Sequence, residues 1–263
     1  MPIHFANKPG LVAYLTVGDP DVATTHAIAL AAIDAGADVI ELGVPFSDPV
    51  ADGPVIQRAS ERAVAHGTRL VDVLALAAEL RSERPKAGLV LFSYLNPVLQ
   101  FGGKDGMARF CQAAKDAAID GVLLTDMIVE EAAEYLDLMA RFDLAPIFLA
   151  APTSPDARLK RIGELSRGFV YAISRVGITG AQAAVESDAA LLVARLRRYT
   201  DLPIAVGFGI SQPRHVAEVS KFADAAVVGS AIVSLIEQSS PEDAPGVIAR
   251  FIEGLRPQPA LAR

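Results

Sequence analysis

Two acids eleven residues apart carry the first chemical signal in this chain. Glu41 lies inside the apolar run Asp38-Val39-Ile40-Glu41-Leu42-Gly43, and Asp52 lies in the Pro- and Gly-rich stretch Val44-Pro45-Phe46-Ser47-Asp48-Pro49-Val50-Ala51-Asp52-Gly53 that follows. The run reads as a buried β-strand, and a carboxyl inside such a strand is costly unless it has a partner or a task. A carboxyl half buried in an apolar mouth has a raised pKa and suits proton shuttling, whereas one on a loop stays ionised. The two acids therefore have the form of an acid–base couple. Structural alternatives stand beside that reading, with Glu41 as half of an internal ion pair and Asp52 as a turn residue before Gly53.

A second signal is the glycine pattern. Gly177-Ile178-Thr179-Gly180, Gly207-Phe208-Gly209-Ile210-Ser211 and Gly229-Ser230 each follow one of the last three apolar runs. Glycine lets backbone N–H groups approach phosphate oxygens closely, and a helix starting near Ser230 would add the positive end of its dipole. Gly180, Gly207, Phe208, Gly209, Gly229 and Ser230 are the candidate phosphate contacts. Gly207-Phe208-Gly209 lacks the third glycine of a dinucleotide fingerprint, so no nicotinamide or flavin is expected. His4, His26, His66 and His215 are scattered without ligand spacing and Cys111 stands alone, so no metal site is expected.

The elements that must hold these groups follow from periodicity. Short β-branched or aliphatic runs begin near Leu11, Asp38, Gly88, Gly121, Ala145, Gly168, Pro203 and Ala225, and most of the intervals carry a helix-like pattern. Eight strands alternating with helices suggest a parallel (β/α)8 TIM barrel, although an open doubly wound sheet fits the alternation too. The count of eight favours the barrel, whose chemistry sits at the C-terminal strand ends, where the glycines and acids collect. In the first helix Asp19 is expected to cap the start, Pro20 to suit the first turn, Ile28, Ala31, Ala32 and Ala35 to share one face, and Gly36 to end it. A faint echo links Ala35 to Ile40, Ala117 to Val122 and Lys221 to Ala226, each passing from a helix end to a strand through an Asp-containing turn. No linker divides the chain, so residues 1–263 read as one domain with a loose tail at about 257–263.

Composition bounds the partners. The 263 residues are 52% hydrophobic and carry a formal charge of −7 spread without long runs, which argues against a nucleic-acid groove or a basic membrane patch. One cysteine excludes an internal disulfide, and neither a signal-peptide core nor a membrane-length apolar stretch is present; a cytoplasmic protein is expected.

The stretch from Glu41 to Gly53 resembles the signature of the tryptophan synthase alpha chain family: acid, aliphatic, Gly, two variable residues, aromatic, Ser/Thr, acid, Pro, aliphatic, small, acid, Gly. Leu15 to Pro20, Tyr94 to Pro97, Ser174 to Gly180, Gly207 to Ser211 and Gly229 to Val233 extend the resemblance along nearly the whole chain. It implies a TIM barrel that cleaves indole-3-glycerol phosphate to indole and glyceraldehyde 3-phosphate, a carbon–carbon lyase reaction of tryptophan biosynthesis. Glu41 and Asp52 fall on the family's catalytic acids, and Tyr171 on a tyrosine near them, though an inward tyrosine is as often packing. Tyr14, Phe92, Leu123 and Ile173 fall on positions that line the indole slot, and Arg175 and Thr179 on the loop that closes over substrate. The resemblance implies no cofactor on this chain, and a beta subunit carrying pyridoxal phosphate as partner in an α2β2 assembly. The segments from Phe46 to Gly53 and from Asn96 to Gly103 would form much of that contact.

The chain also departs from the family. Tyr14 stands where phenylalanine is common and Phe92 where a smaller aliphatic is common. Ala181-Gln182-Ala183-Ala184-Val185-Glu186-Ser187 replaces an Ala-Arg step with a later Leu-Pro, and Asp126-Met127-Ile128 replaces an Asp-x-Pro pattern. Only Met1 to Gly10 precede the first strand, leaving Phe5 and its neighbours to seal the barrel floor. A stand-alone lyase and a regulatory barrel without catalysis remain as alternative readings.

Overall fold

The computed structural model describes residues 3–173, 182–207 and 209–256. Its strands are β1 (Gly10–Thr16), β2 (Val39–Gly43), β3 (Gly88–Ser93), β4 (Gly121–Leu124), β5 (Ala145–Ile147), β6 (Leu149–Ala150), β7 (Val170–Ile173), β8 (Ile204–Gly207) and β9 (Ala225–Val228). All pair in parallel, in the order β5-β4-β3-β2-β1-β9-β8-β7-β6. β5 and β6 are two pieces of one run interrupted at Phe148. Pro146 supplies no amide donor, so the run pairs with β4 through Ile147 and with β7 from Leu149. Joining those pieces closes the ring as an eight-stranded barrel, each strand starting within two residues of its sequence expectation. The expected tail at 257–263 lies outside the described residues.

Helices α1 (Val22–Asp34), α2 (Pro54–Ala65), α3 (Leu70–Glu83), α4 (Leu95–Leu99), α5 (Gly106–Asp116), α6 (Ala133–Phe142), α7 (Asp156–Leu165), α8 (Gln182–Leu196), α9 (Pro213–Val219), α10 (Ser230–Glu237) and α11 (Ala244–Leu255) surround the ring. Strand alternation divides the core into two layers. Leu11, Ile40, Leu42, Leu89, Leu91 and Val206 face outward and pack with helix residues such as Ile28, Val73, Phe110 and Ile248. Val12, Val39, Val90, Leu123, Ile147 and Ala205 face inward and fill the ring. Ile3 and Phe5 join that inner cluster, with Phe5 edge-on to Phe169 at 5.9 Å, so the short N-terminal segment seals the floor. No described helix is long and apolar enough to cross a membrane.

The first helix corrects one expectation. Its N-cap is Asp21, whose carboxylate accepts from the Thr24 amide at 2.7 Å, and its buried face is Thr25, Ile28, Ala29 and Ala32. Asp19 is instead engaged by Arg62. The arginine reaches it through space, which local capping rules cannot register.

The sequence echo has a structural meaning. Asp38, Asp120 and Asp224 each precede a strand and accept from the backbone amide of the strand before, at Leu11 (2.8 Å), Leu89 (2.9 Å) and Ile204 (2.8 Å). Each also pairs with an arginine: Arg256 at 2.9 Å, Arg81 at 2.6 Å, and Arg197. The lower rim is thus held by a repeated carboxylate clamp that satisfies amides otherwise left without a partner. Removing a partner from a buried pair is far costlier than from an exposed one. Asp120→Ala should destabilise the fold by about 3 kcal/mol or more, whereas Asp34→Ala, which breaks the exposed Arg84 pair, should cost about 1 kcal/mol or less. Denaturant unfolding of the two variants checks the contrast.

Candidate active site

β2 is apolar on both faces except at Glu41. Val39, Glu41 and Gly43 alternate onto the inside of the ring, Val39 at the bottom and Glu41 one step toward the mouth. The Glu41 side chain is fully buried, and neither carboxylate oxygen has a hydrogen-bond partner among the described residues. With nothing to stabilise the anion, desolvation pushes its pKa up to about 8, so the group is mainly neutral at pH 7. The internal ion pair open to it from sequence is absent among the described residues.

Two tyrosines frame this carboxyl, each lying over a glycine of the next strand. Tyr14 pairs with Glu41 in the β1–β2 register, and its ring crosses Gly43, where an added Cβ would stand 2.3 Å from the phenol oxygen. Tyr171 pairs with Ala205 in the β7–β8 register and covers Gly207, where a Cβ would stand 2.8 Å from its oxygen. Only glycine leaves room for either ring. Burial, together with the Glu41 charge, holds the Tyr171 phenol well above its ordinary value. Tyr14 is raised by burial and by Asp52, accepts a 3.4 Å hydrogen bond from Thr16 Oγ1, and meets Phe92 edge-on at 5.1 Å.

Asp52 approaches from the loop after β2. Its amide donates to the Pro49 carbonyl at 3.0 Å, closing a turn, and Gly53 then caps α2 with Pro54 in the first turn. Asp52 is therefore a turn residue, and its carboxylate is also engaged. Tyr94, at the end of β3, donates to Asp52 Oδ2 at 3.0 Å and accepts from the Ala51 amide at 2.9 Å, while its ring leans on Phe46 at 5.3 Å. Partial burial lifts the Asp52 pKa to about 6 and the Tyr94 hydrogen bond opposes the rise. Sequence reading did not assign Tyr94 a role; its signal was a tyrosine at a strand end, before Leu95-Asn96-Pro97.

The remaining candidates gather at the same mouth. Phe92 and Leu123 are register partners on β3 and β4, Leu123 fully buried and Phe92 partly so. Ile173, two residues beyond Tyr171 and opposite Gly207, is 37% exposed and sits at the rim. Gly229 caps α10 without a side-chain hydrogen bond, so the amides of its first turn carry no side-chain cap. Gly209 has φ +55, with open space where a side chain would be. Gly180, Phe208, Arg175 and Thr179 lie outside the described residues. No group of three or more His, Cys, Asp or Glu placed to hold a metal occurs among the described residues.

Comparison with known proteins matches this geometry to one family. The family model for the tryptophan synthase alpha chain matches residues 3–255. Tryptophan synthase alpha chains of Solibacter usitatus and Methylococcus capsulatus are 50% and 48% identical, over 89% and 92% of this chain and 86% and 90% of their own lengths. A chain from the tryptophan synthase complex of Pyrococcus furiosus superposes with a TM-score of 0.85 at 36% identity, covering 94% of this chain and 98% of that one. One from the aminoacrylate-bound tryptophan synthase of M. tuberculosis gives 0.83 at 34% identity, covering 95% and 94%. With acids, barrel and matched sequence in agreement over almost its full length, this chain belongs to the tryptophan synthase alpha chain family.

Proposed function

We propose that this chain cleaves indole-3-glycerol phosphate to indole and glyceraldehyde 3-phosphate, with Glu41 as the proton shuttle and Asp52 as the ring anchor. The observation that carries the reading is Glu41 itself, a fully buried carboxyl at the mouth of the barrel with no hydrogen-bond partner among the described residues and a pKa raised to about 8 by burial. A neutral acid can donate to carbon, which a surface carboxylate cannot do at pH 7.

The steps balance on that one group. Glu41 protonates the ring carbon that bears the side chain, and positive charge spreads to the ring nitrogen. Asp52, ionised and oriented by Tyr94, accepts the ring N–H and stabilises that charge. The side-chain hydroxyl next to the ring then loses its proton to the carboxylate of Glu41, the carbon–carbon bond breaks, and its electron pair restores the aromatic ring. One product leaves as indole and the other as the aldehyde, with Glu41 neutral again. Tyr171 packs beside the shuttle and helps to exclude water, and Tyr14, Phe92, Leu123 and Ile173 supply the apolar slot. The glycine loops after β8 and β9 and the first turn of α10 offer backbone donors for the phosphate, the usual place for it in this fold.

The Pyrococcus furiosus relative that shares this fold is part of a tryptophan synthase complex, and on that support the partner of this chain is a beta subunit in an α2β2 assembly. The exposed loop around Asp48, Pro49 and Val50 and the segment from Asn96 to Gly103 form the proposed contact surface. None of the proposed steps draws on a cofactor; pyridoxal phosphate belongs to the beta subunit.

Indole release by the purified chain, with and without a beta subunit, tests the reading. Slow cleavage that rises with the partner is expected, and Glu41→Gln and Asp52→Asn should each lower it by at least ~100-fold; unchanged release by Glu41→Gln would sink the assignment. Because Asp52 must be ionised and Glu41 protonated, kcat/KM should rise through about pH 6 and fall through about pH 8. Tyr94→Phe, which removes a donor to the ionised Asp52, should move the lower limb upward. Stability carries the same signature. The Glu41 pKa rises from 4.5 to about 8 on folding, so the folded state binds the extra proton and wild-type stability falls as pH rises between those values. The Tm advantage of Glu41→Gln should therefore grow from pH 5 to pH 8, as differential scanning calorimetry would show.

A further inference from the structure

The two ends of the proposed substrate are held by different helices. Asp52, the ring anchor, is attached to the start of α2 through Gly53 and Pro54, and the Gln57 side chain on that helix donates to the Asp52 and Pro49 carbonyls at 2.9 and 3.3 Å. Part of the proposed phosphate site is the start of α10. Catalysis needs those two starts at one fixed separation, yet no strand pairing sets it, because both helices lie outside the ring.

Two guanidiniums of α2 reach across the gap, and that of Arg62 also reaches the loop after β1. Arg62, on the second half of α2, donates to both oxygens of Asp19 at 2.8 Å each and to Glu237 Oε1 at 2.7 Å. Asp19 is only 3% exposed and follows β1, the strand that carries Tyr14. Glu237 is the last residue of α10, and Arg58, one turn before Arg62, holds it too at 3.1 and 3.2 Å. Between the helices Ala59 and Val233 pack against Tyr14, with Val55, Ile56 and Phe92 beside them. The network thus ties together the β1 loop, the helix of the ring anchor and the helix of the phosphate site, directly behind the indole slot. A planar fork fits two carboxylates at once in a way that a lysine ammonium cannot.

We propose that Arg62 is a positioning residue of the reaction, which sets the distance between the ring anchor and the phosphate anchor by clamping α2 to Asp19 and to Glu237 of α10. The inference rests on the lyase reading above. It separates ligands that touch one anchor from the substrate that must bridge both, since a misplacement of about 1 Å can cost ~100-fold in rate while leaving each half-site intact.

The experiment compares wild type, Arg62→Met, Arg62→Lys and Glu237→Gln in three measurements: kcat and KM with indole-3-glycerol phosphate, and inhibition constants for glycerol 3-phosphate and for indole, each of which occupies one anchor. Arg62→Met should lower kcat/KM by ~30- to 100-fold, mostly in kcat, with both inhibition constants within about threefold of wild type. Arg62→Lys should recover part of the loss. Glu237→Gln, which weakens the bonds from both Arg62 and Arg58 at a partly exposed residue and keeps the Asp19 pair, should cost ~3- to 10-fold. It carries the test if Arg62→Met does not fold. A kcat/KM within threefold of wild type in the folded variants, or a proportional loss of all three ligands with a lowered Tm, would overturn the proposal and leave Arg62 a structural residue. Wild type that does not cleave the substrate at all, with either subunit composition, would overturn the lyase reading and this inference with it.

Discussion

A closed parallel ring admits no edge, and that closure is the constraint on which the site depends. Hydrogen bonds run from β5 through β1 to β6, and the two ends meet across Phe148. Every second side chain is then committed to an interior of fixed width that must be filled or sealed. A carboxyl placed there cannot reach water, and in this ring it meets no described partner either. The Glu41 pKa is raised because the barrel closes around it; opening the ring would return it to an ordinary glutamate. The tyrosines over Gly43 and Gly207 obey the same constraint, since the missing Cβ atoms are where their rings go.

The two ends of the ring have opposite electrostatic characters. At the floor, carboxylates are paired: Asp38, Asp120 and Asp224 each take a strand amide and an arginine, and Ile3 and Phe5 close the interior above them. At the mouth, Glu41 has no described partner and Asp52 has a neutral phenol in place of a cation. The paired acids lock the frame through their hydrogen bonds to strand amides and arginines. The mouth acids are left with pKa values displaced toward neutrality, where a proton can move in either direction at low cost. Stability at one end and chemistry at the other follow from the same residue type in different company.

That division also explains why the α2–α10 contact matters. Strand pairing fixes Glu41, Tyr14 and Tyr171 relative to one another, because all three are on the ring. Asp52 and the first turn of α10 are not, and their placement falls to packing around Ala59 and Val233 and to the arginines at the helix ends. An ion-pair network anchored on a nearly buried carboxylate holds its geometry better than an isolated surface pair.

Much of this was legible in the chain. Eight aliphatic runs, the spacing between them and the glycines after the last three favoured a parallel barrel over an open sheet, and an acid inside an apolar strand marked its own position as costly. Those signals are local: alternation, turn chemistry and desolvation act within a few residues. What only the tertiary structure decided are the partners. Tyr94 lies 42 residues from Asp52, and Arg62 lies 43 from Asp19 and 175 from Glu237. Asp19, read from its neighbourhood, was a helix cap, and it became a salt-bridge anchor because α2 folds back across it. Of Glu41 and Asp52 the sequence determined the residue types, but whether each is charged depends on burial and on the dipoles and charges within a few ångströms. Those distances exist only once the ring has closed.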